Sequence, residues 1–110
     1  MHNITSPRPD TDETIEQTLL SRGLTAPRIT PSGIDATVKA EDYYVFPGTQ
    51  LTVCCLTLLN GTNVTGESAC VSPANFDAEV GRRIARENAK QKIWALEGYL
   101  LKESLFRDPL

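Results

Sequence analysis

The sequence predicts an α+β fold: an N-terminal helical segment, a small antiparallel β-sheet with an Asn-Gly hairpin, and a long C-terminal helix. Three observations predict it. Two β-rich runs, Gln50–Leu59 and Thr62–Val71, flank Asn60-Gly61, a preferred two-residue hairpin turn. From about Phe76 onward, helix formers dominate. Ahead of the strands, Asp12 and the pair Thr30-Pro31 both read as helix starts.

Residues 1–11 are polar, carry proline and lack periodicity, so a disordered arm is expected there, with a single domain over 12–110. Asp12 is expected to cap a helix from Glu13 to about Ser21, striped by Ile15, Leu19 and Leu20 and stopped by Gly23 in the C′ position. The stretch from Thr25 to Ile29 should be extended, because a residue before proline avoids the helical region. A second helix is expected from Pro31 to about Ala40, with Ile34 and Val38 facing inward. Tyr43–Phe46 is β-rich and ends at the turn pair Pro47-Gly48.

A two-residue type I′ turn at Asn60-Gly61 pairs Leu59 with Thr62. Leu51, Val53, Cys55 and Thr57 would then lie beside Cys70, Ser68, Gly66 and Val64, with Cys54, Leu56 and Leu58 beside Glu67, Thr65 and Asn63. Both faces of the first strand are apolar. It should be central, covered on one side by the following helix and on the other by a second subunit. Gly66 marks a bulge or a close backbone approach. Pro73 ends the sheet. In the last helix, Ile84, Ala85, Asn88, Lys92, Ala95, Leu96 and Tyr99 share one side, and Gly81 permits close approach to the sheet. Continuous to Leu101, that helix is about 38 Å long. It must overhang a protomer of about 13 Å radius of gyration, or kink near Gly98. Its second half (Ile93, Trp94, Leu96, Leu100, Leu101) is apolar almost all round, which calls for a partner.

Composition narrows the function classes. The 110 residues suit one domain, and 40% hydrophobic with 23% charged residues argues against wholesale disorder. A net charge of −3 removes the electrostatic footprint of a general DNA or RNA binder. No apolar run approaches the ~18 residues of a membrane span, and no signal-peptide core opens the chain, so a cytoplasmic location is expected. Cys54, Cys55 and Cys70 make a poor disulfide framework and read as small hydrophobes. His2 is the one histidine, which leaves no Cys–His nucleophile pair in the core. No metal, cofactor or catalytic set is expected.

Arg82, Arg83 and Arg86 are the most informative polar set. Arg82 and Arg86 lie one helical turn apart, and two guanidinium forks on one face suit bidentate recognition of phosphate oxygens. They equally suit a solvated face, or pairing with Glu79 and Glu87 at helical spacing. Asn75 lies in the loop before the helix, where it could contact an anion or simply cap the helix. Glu67 could be a general base, or a strand-end carboxylate paired to an arginine.

The block Leu58–Gly61, Val64–Val71, Pro73–Asp77, Gly81-Arg82, Ala85, Glu87–Ala89, Ile93-Trp94 and Leu96–Leu101, with Arg28–Pro31 upstream, resembles a family of small tailed-phage proteins. The resemblance covers roughly residues 28–103. The family includes a Thoeris anti-defence protein that acts as a sponge, sequestering a cyclic ADP-ribose isomer. Some members also hold cyclic oligonucleotides of the CBASS system at a separate site. For this chain the resemblance implies a dimer-based homo-hexamer in the host cytoplasm. It also implies a ligand pocket between subunits, in which the arginine pair falls on Arg82 and Arg86. Arg28, Thr65 and Asn75 join them from their places in the matching segments. Two rivals stay open: an enzyme degrading such a signal with Glu67 as base, and a protein-binding phage accessory or inhibitor protein.

Overall fold

The computed structural model describes residues 11–24 and 26–109. The arm expected over residues 1–11 lies outside them except for Thr11, as does Thr25 of the extended stretch. The elements run α1 (Asp12–Ser21), α2 (Pro31–Ala36), β1 (Val38–Val45), β2 (Leu51–Leu58), β3 (Asn63–Ala69), a 3-10 turn (Pro73–Asn75) and α3 (Ala78–Arg107). The strands form one antiparallel sheet in the order β1-β2-β3, and α3 lies across one face of it. This is the α+β arrangement that the sequence predicts.

The helix starts obey capping chemistry. Thr11, not Asp12, caps α1 by accepting from the Thr14 amide, so Asp12 becomes its first residue. Gly23 follows the end at φ +68°, as its C′ reading requires. Thr30 caps α2 by accepting from the Gly33 amide at 3.0 Å, with Pro31 at the first position. That helix is shorter than expected. It stops at Ala36, and Val38, Lys39 and Ala40 already belong to β1. Pairing with β2 supplies hydrogen bonds that a helix made marginal by Gly33 could not match. A register shift between Val38 and Ala40 turns both Val38 and Glu41 toward α3.

The hairpin register also differs from expectation. Cys54 opposes Gly66, Leu56 opposes Val64 and Thr52 opposes Ser68, one residue away from the Leu59–Thr62 pairing. The cause is the turn. Gly61 has φ +91°, but no non-glycine residue among the described residues has positive φ, so Asn60 is not in the left-handed conformation that a type I′ turn needs. Instead Leu59, Asn60 and Gly61 form a three-residue loop closed by Gly61 N–H to Leu58 and Leu58 N–H to Thr62, with Asn60 Oδ1 accepting from the Thr62 amide. One residue of slip sends every β3 side chain to the other face.

Val64, Gly66 and Ser68 therefore join Thr52, Cys54, Leu56 and Leu58 under α3. Ile34, Cys54, Leu56, Ala85, Ala89 and Ile93 have no exposed surface and form the core. On the helix side this face is Gly81, Ala85, Ala89, Lys90 and Ile93. Of the expected inward set only Ala85 is fully buried, while Leu96 and Tyr99 are exposed. Small residues line the seam because the backbones nearly touch. A Cβ on Gly66 would stand 2.2 Å from the Ala89 nitrogen and 2.3 Å from the Ala85 oxygen. The close-approach reading of Gly66 is the correct one, and its ladder runs without a bulge. Gly81 sits over Thr52, as its own reading anticipated.

β2 is central, and α3 covers one face of it. On the other, Leu51, Val53, Cys55 and Thr57 are only half-buried, and no described element of the chain covers them. α3 continues unbroken past Gly98 to Arg107, about 45 Å for its 30 residues. The protein is accordingly elongated, 53 × 32 × 17 Å with a radius of gyration of 16.5 Å. Of the two options the sequence allowed, the helix overhangs.

Candidate functional site

The arginine cluster stands on the first half of α3. That half is the rigid half, because Gly81, Ala85 and Ala89 press it against β2 and β3. Its start is Asp77, whose Oδ1 accepts from the Glu79 and Val80 amides at 3.0 and 3.1 Å. Phe76 is still extended, so the helix begins two residues after the point the sequence suggested. Asn75 is exposed in the 3-10 turn and does not cap α3.

Arg82 and Arg83 are exposed and form no ion pair among the described residues. Arg86 is half-buried, and its Nε donates to Glu41 Oε2 at 3.1 Å. That carboxylate comes from β1, not from Glu79 or Glu87 on the same helix. Its other oxygen, Oε1, accepts from the Tyr43 hydroxyl at 2.6 Å. Tyr43 and Glu41 are two apart on β1 and so face α3 together. The result is a chain of hydrogen bonds, Tyr43 to Glu41 to Arg86, linking an edge strand to the helix.

Charge behaviour follows from this geometry. The Tyr43 hydrogen bond, aided by Arg86, holds the Glu41 carboxyl below its ordinary range, against a smaller opposing effect of burial. Burial first, then the Glu41 carboxylate, pushes the Tyr43 phenol well up, so it stays a donor. Burial is the largest single influence on Arg86 and pulls it down, but the Glu41 hydrogen bond together with the nearby charges of Glu41 and Asp35 outweighs it, so the net shift is upward. Lys90, a buried cation, lies 2.9 Å from Asp35 Oδ1 and 3.4 Å from Glu87 Oε2, joining α2 to α3.

The remaining sequence-predicted residues do not gather here within one chain. Arg28 lies between α1 and α2, where it pairs with Glu16, and its Nε is buried without a partner. Thr65 sits on the uncovered face of the sheet, opposite the helix. Glu67 is exposed on that same face and makes no ion pair among the described residues, so the arginine partner expected for it is absent. Its backbone oxygen accepts from Asn88 Nδ2 at 2.8 Å. Cys54 and Cys70 are buried and Cys55 half-buried, all free thiols. No group of metal-ligating residues occurs among the described residues, and no helix of theirs is long and apolar enough to cross a membrane.

Glu41 and Tyr43 went unnoticed in the sequence. Residues 31–40 read as helix, so Glu41 fell in a connection without a face. Alternation read back from Tyr43 would have put Glu41 on the same face, whereas alternation from Val38 would not, because the register shift between Val38 and Ala40 intervenes.

Fold and site together define a small α+β protein with a fixed cationic spot on an otherwise acidic chain. Residues 29–105 match the family described as Phage protein (N4 Gp49/phage Sf6 gene 66) family. With most of its length matched, the chain belongs to that family. No curated protein and no solved structure matches it.

Proposed function

We propose that this phage protein is a non-enzymatic, oligomeric binder that sequesters a cyclic nucleotide immune signal in the host cytoplasm. The ligand class is a cyclic ADP-ribose isomer of Thoeris, with cyclic oligonucleotides of CBASS as further candidates. The observation that carries the reading is the state of the arginine pair. Arg82 has no carboxylate partner among the described residues. Arg86, one turn later, spends Nε on Glu41 while its terminal nitrogens donate to no described residue. Two always-charged forks on a rigid helix fit the pyrophosphate of a cyclic ADP-ribose isomer. The family likeness and the resemblance to an anti-defence sponge support the same reading. In a dimer-based hexamer, Arg28, Thr65 and Asn75 would reach the pocket from other faces or other subunits.

Isothermal titration against cyclic ADP-ribose isomers and cyclic di- and trinucleotides tests this. A sponge returns intact ligand on heat denaturation, whereas an enzyme returns fragments. A charge-assisted hydrogen bond contributes about 1.5–3 kcal/mol, so Arg82→Ala with Arg86→Ala should weaken binding on the order of 10²- to 10⁴-fold. Unchanged affinity in that double variant makes the pair a solvated helix face and ends the proposal.

A second reading is favoured by the exposed apolar end of α3, where Leu96, Tyr99, Leu100 and Phe106 project. It is a phage accessory protein docking another protein. Capture of one defined host or phage protein by a chain that binds no nucleotide would support it.

A further inference from the structure

Arg86 differs from Arg82 in being half-buried and in having a carboxylate acceptor for its Nε. A free arginine loses rotamer freedom on meeting a ligand, and Arg82, exposed and without an ion pair among the described residues, carries that cost. Arg86 carries less of it. Glu41 Oε2 accepts from Nε at 3.1 Å, and Glu41 Oε1 accepts from the Tyr43 hydroxyl at 2.6 Å, so both carboxylate oxygens are engaged. The tyrosine ring packs against the core, and the backbone beneath both residues is paired to β2 through Leu56 and Cys54. An Nε contact also leaves the two terminal nitrogens open, whereas a side-on bidentate contact would consume one of them.

We propose that Glu41, braced by Tyr43, is a positioning residue that sets the Arg86 fork for a pyrophosphate-bearing ligand. The assignment rests on the sequestration reading above. The carboxylate also repels an anion, but at a half-exposed site salt and water screen that repulsion, and the assignment requires the gain from a preset donor to exceed what remains.

Two measurements test it. The first needs no ligand: nitrogen-15 NMR should show a slowly exchanging Arg86 Nε–H signal in the wild type and in Glu41→Gln, where an acceptor remains, and lose it in Glu41→Ala. The second is titration with cyclic ADP-ribose and, separately, inorganic pyrophosphate. Glu41→Ala should bind about 10-fold more weakly, Tyr43→Phe several-fold more weakly, and Glu41→Gln within about 3-fold of wild type, with circular dichroism unchanged throughout. Rescue by glutamine separates positioning from a merely structural loss. If Glu41→Ala keeps the protected signal, or binds as well as wild type while Arg86→Ala does not, Glu41 is only a counter-ion and the inference is overturned. If Arg86→Ala binds like wild type, Arg86 is no ligand donor and this inference is overturned while the sequestration reading stands; if the wild type binds neither these probes nor the cyclic ADP-ribose isomers and cyclic di- and trinucleotides of the panel above, the sequestration reading falls and this inference with it.

Discussion

Glu41 is the residue whose protonation couples the site to the fold. Its carboxyl titrates below its ordinary value near 4.5, held there by Tyr43 and Arg86. The folded state thus favours the ionised form, and the stabilisation is present above the unfolded value and lost as pH falls through the depressed one. Tyr43 and Arg86 both shift upward and keep their protons throughout the acid range. The expected outcome is a thermal midpoint for wild type above that of Glu41→Gln at pH 6–7, with the gap closing as pH drops below about 4. A gap constant from pH 7 to 3 would mean that the carboxylate charge contributes nothing to the pairing. Lys90 illustrates the complementary case. Its stem is buried against the α3 seam while its ammonium reaches Asp35 and Glu87, so a cation is kept inside without being orphaned.

At the scale of elements, the seam between α3 and the hairpin decides stability. Gly66 has no room for a methyl group: its Cβ would lie within 2.3 Å of two α3 backbone atoms, which no side-chain rotation relieves. Gly66→Ala should cost at least about 3 kcal/mol in chemical denaturation, the upper end for overpacking. Gly81→Ala should stay within about 1 kcal/mol. There the Cβ meets the Thr52 hydroxyl at 3.1 Å, a side-chain atom that can give, and alanine's helix preference offsets the contact. Equal effects at the two glycines would contradict the close backbone approach at Gly66. Both glycines were legible in the sequence as points of approach. The register that puts Gly66 under the helix was not, because Asn60-Gly61 fits both a two-residue and a three-residue loop.

At the scale of the whole molecule, apolar surface remains uncovered. The far sheet face carries half-buried Leu51, Val53 and Cys55, and beside them Tyr44 and Phe46 meet edge to face at 4.9 Å in the open. The overhanging half of α3 exposes Leu96, Tyr99, Leu100 and Phe106. Trp94, expected in a subunit interface, already packs partly against its own chain's core. Surface of this kind suits association with further copies. Sedimentation at micromolar concentration should give a species well above the 12.1 kDa chain, and Leu100→Glu with Tyr99→Glu should shift it toward monomer. A stable monomer in the wild type would remove the oligomer, and with it a pocket shared between subunits.

The sequence by itself determined the order of elements, the proline-led start of α2, the glycine stop of α1 and the one-turn spacing of Arg82 and Arg86. Each depends on residues within about one helical turn or two strand positions of one another. Tertiary structure decided the rest. Whether Val38–Ala40 continued a helix or opened a strand turned on β2 being there to pair with it. The face that Val64, Gly66 and Ser68 occupy turned on one residue of hairpin slip, which hydrophobic alternation alone tolerates when both faces of β2 are apolar. The meeting of Glu41 with Arg86, 45 residues apart, exists only because α3 lies across the sheet and brings that turn of helix beside the edge strand.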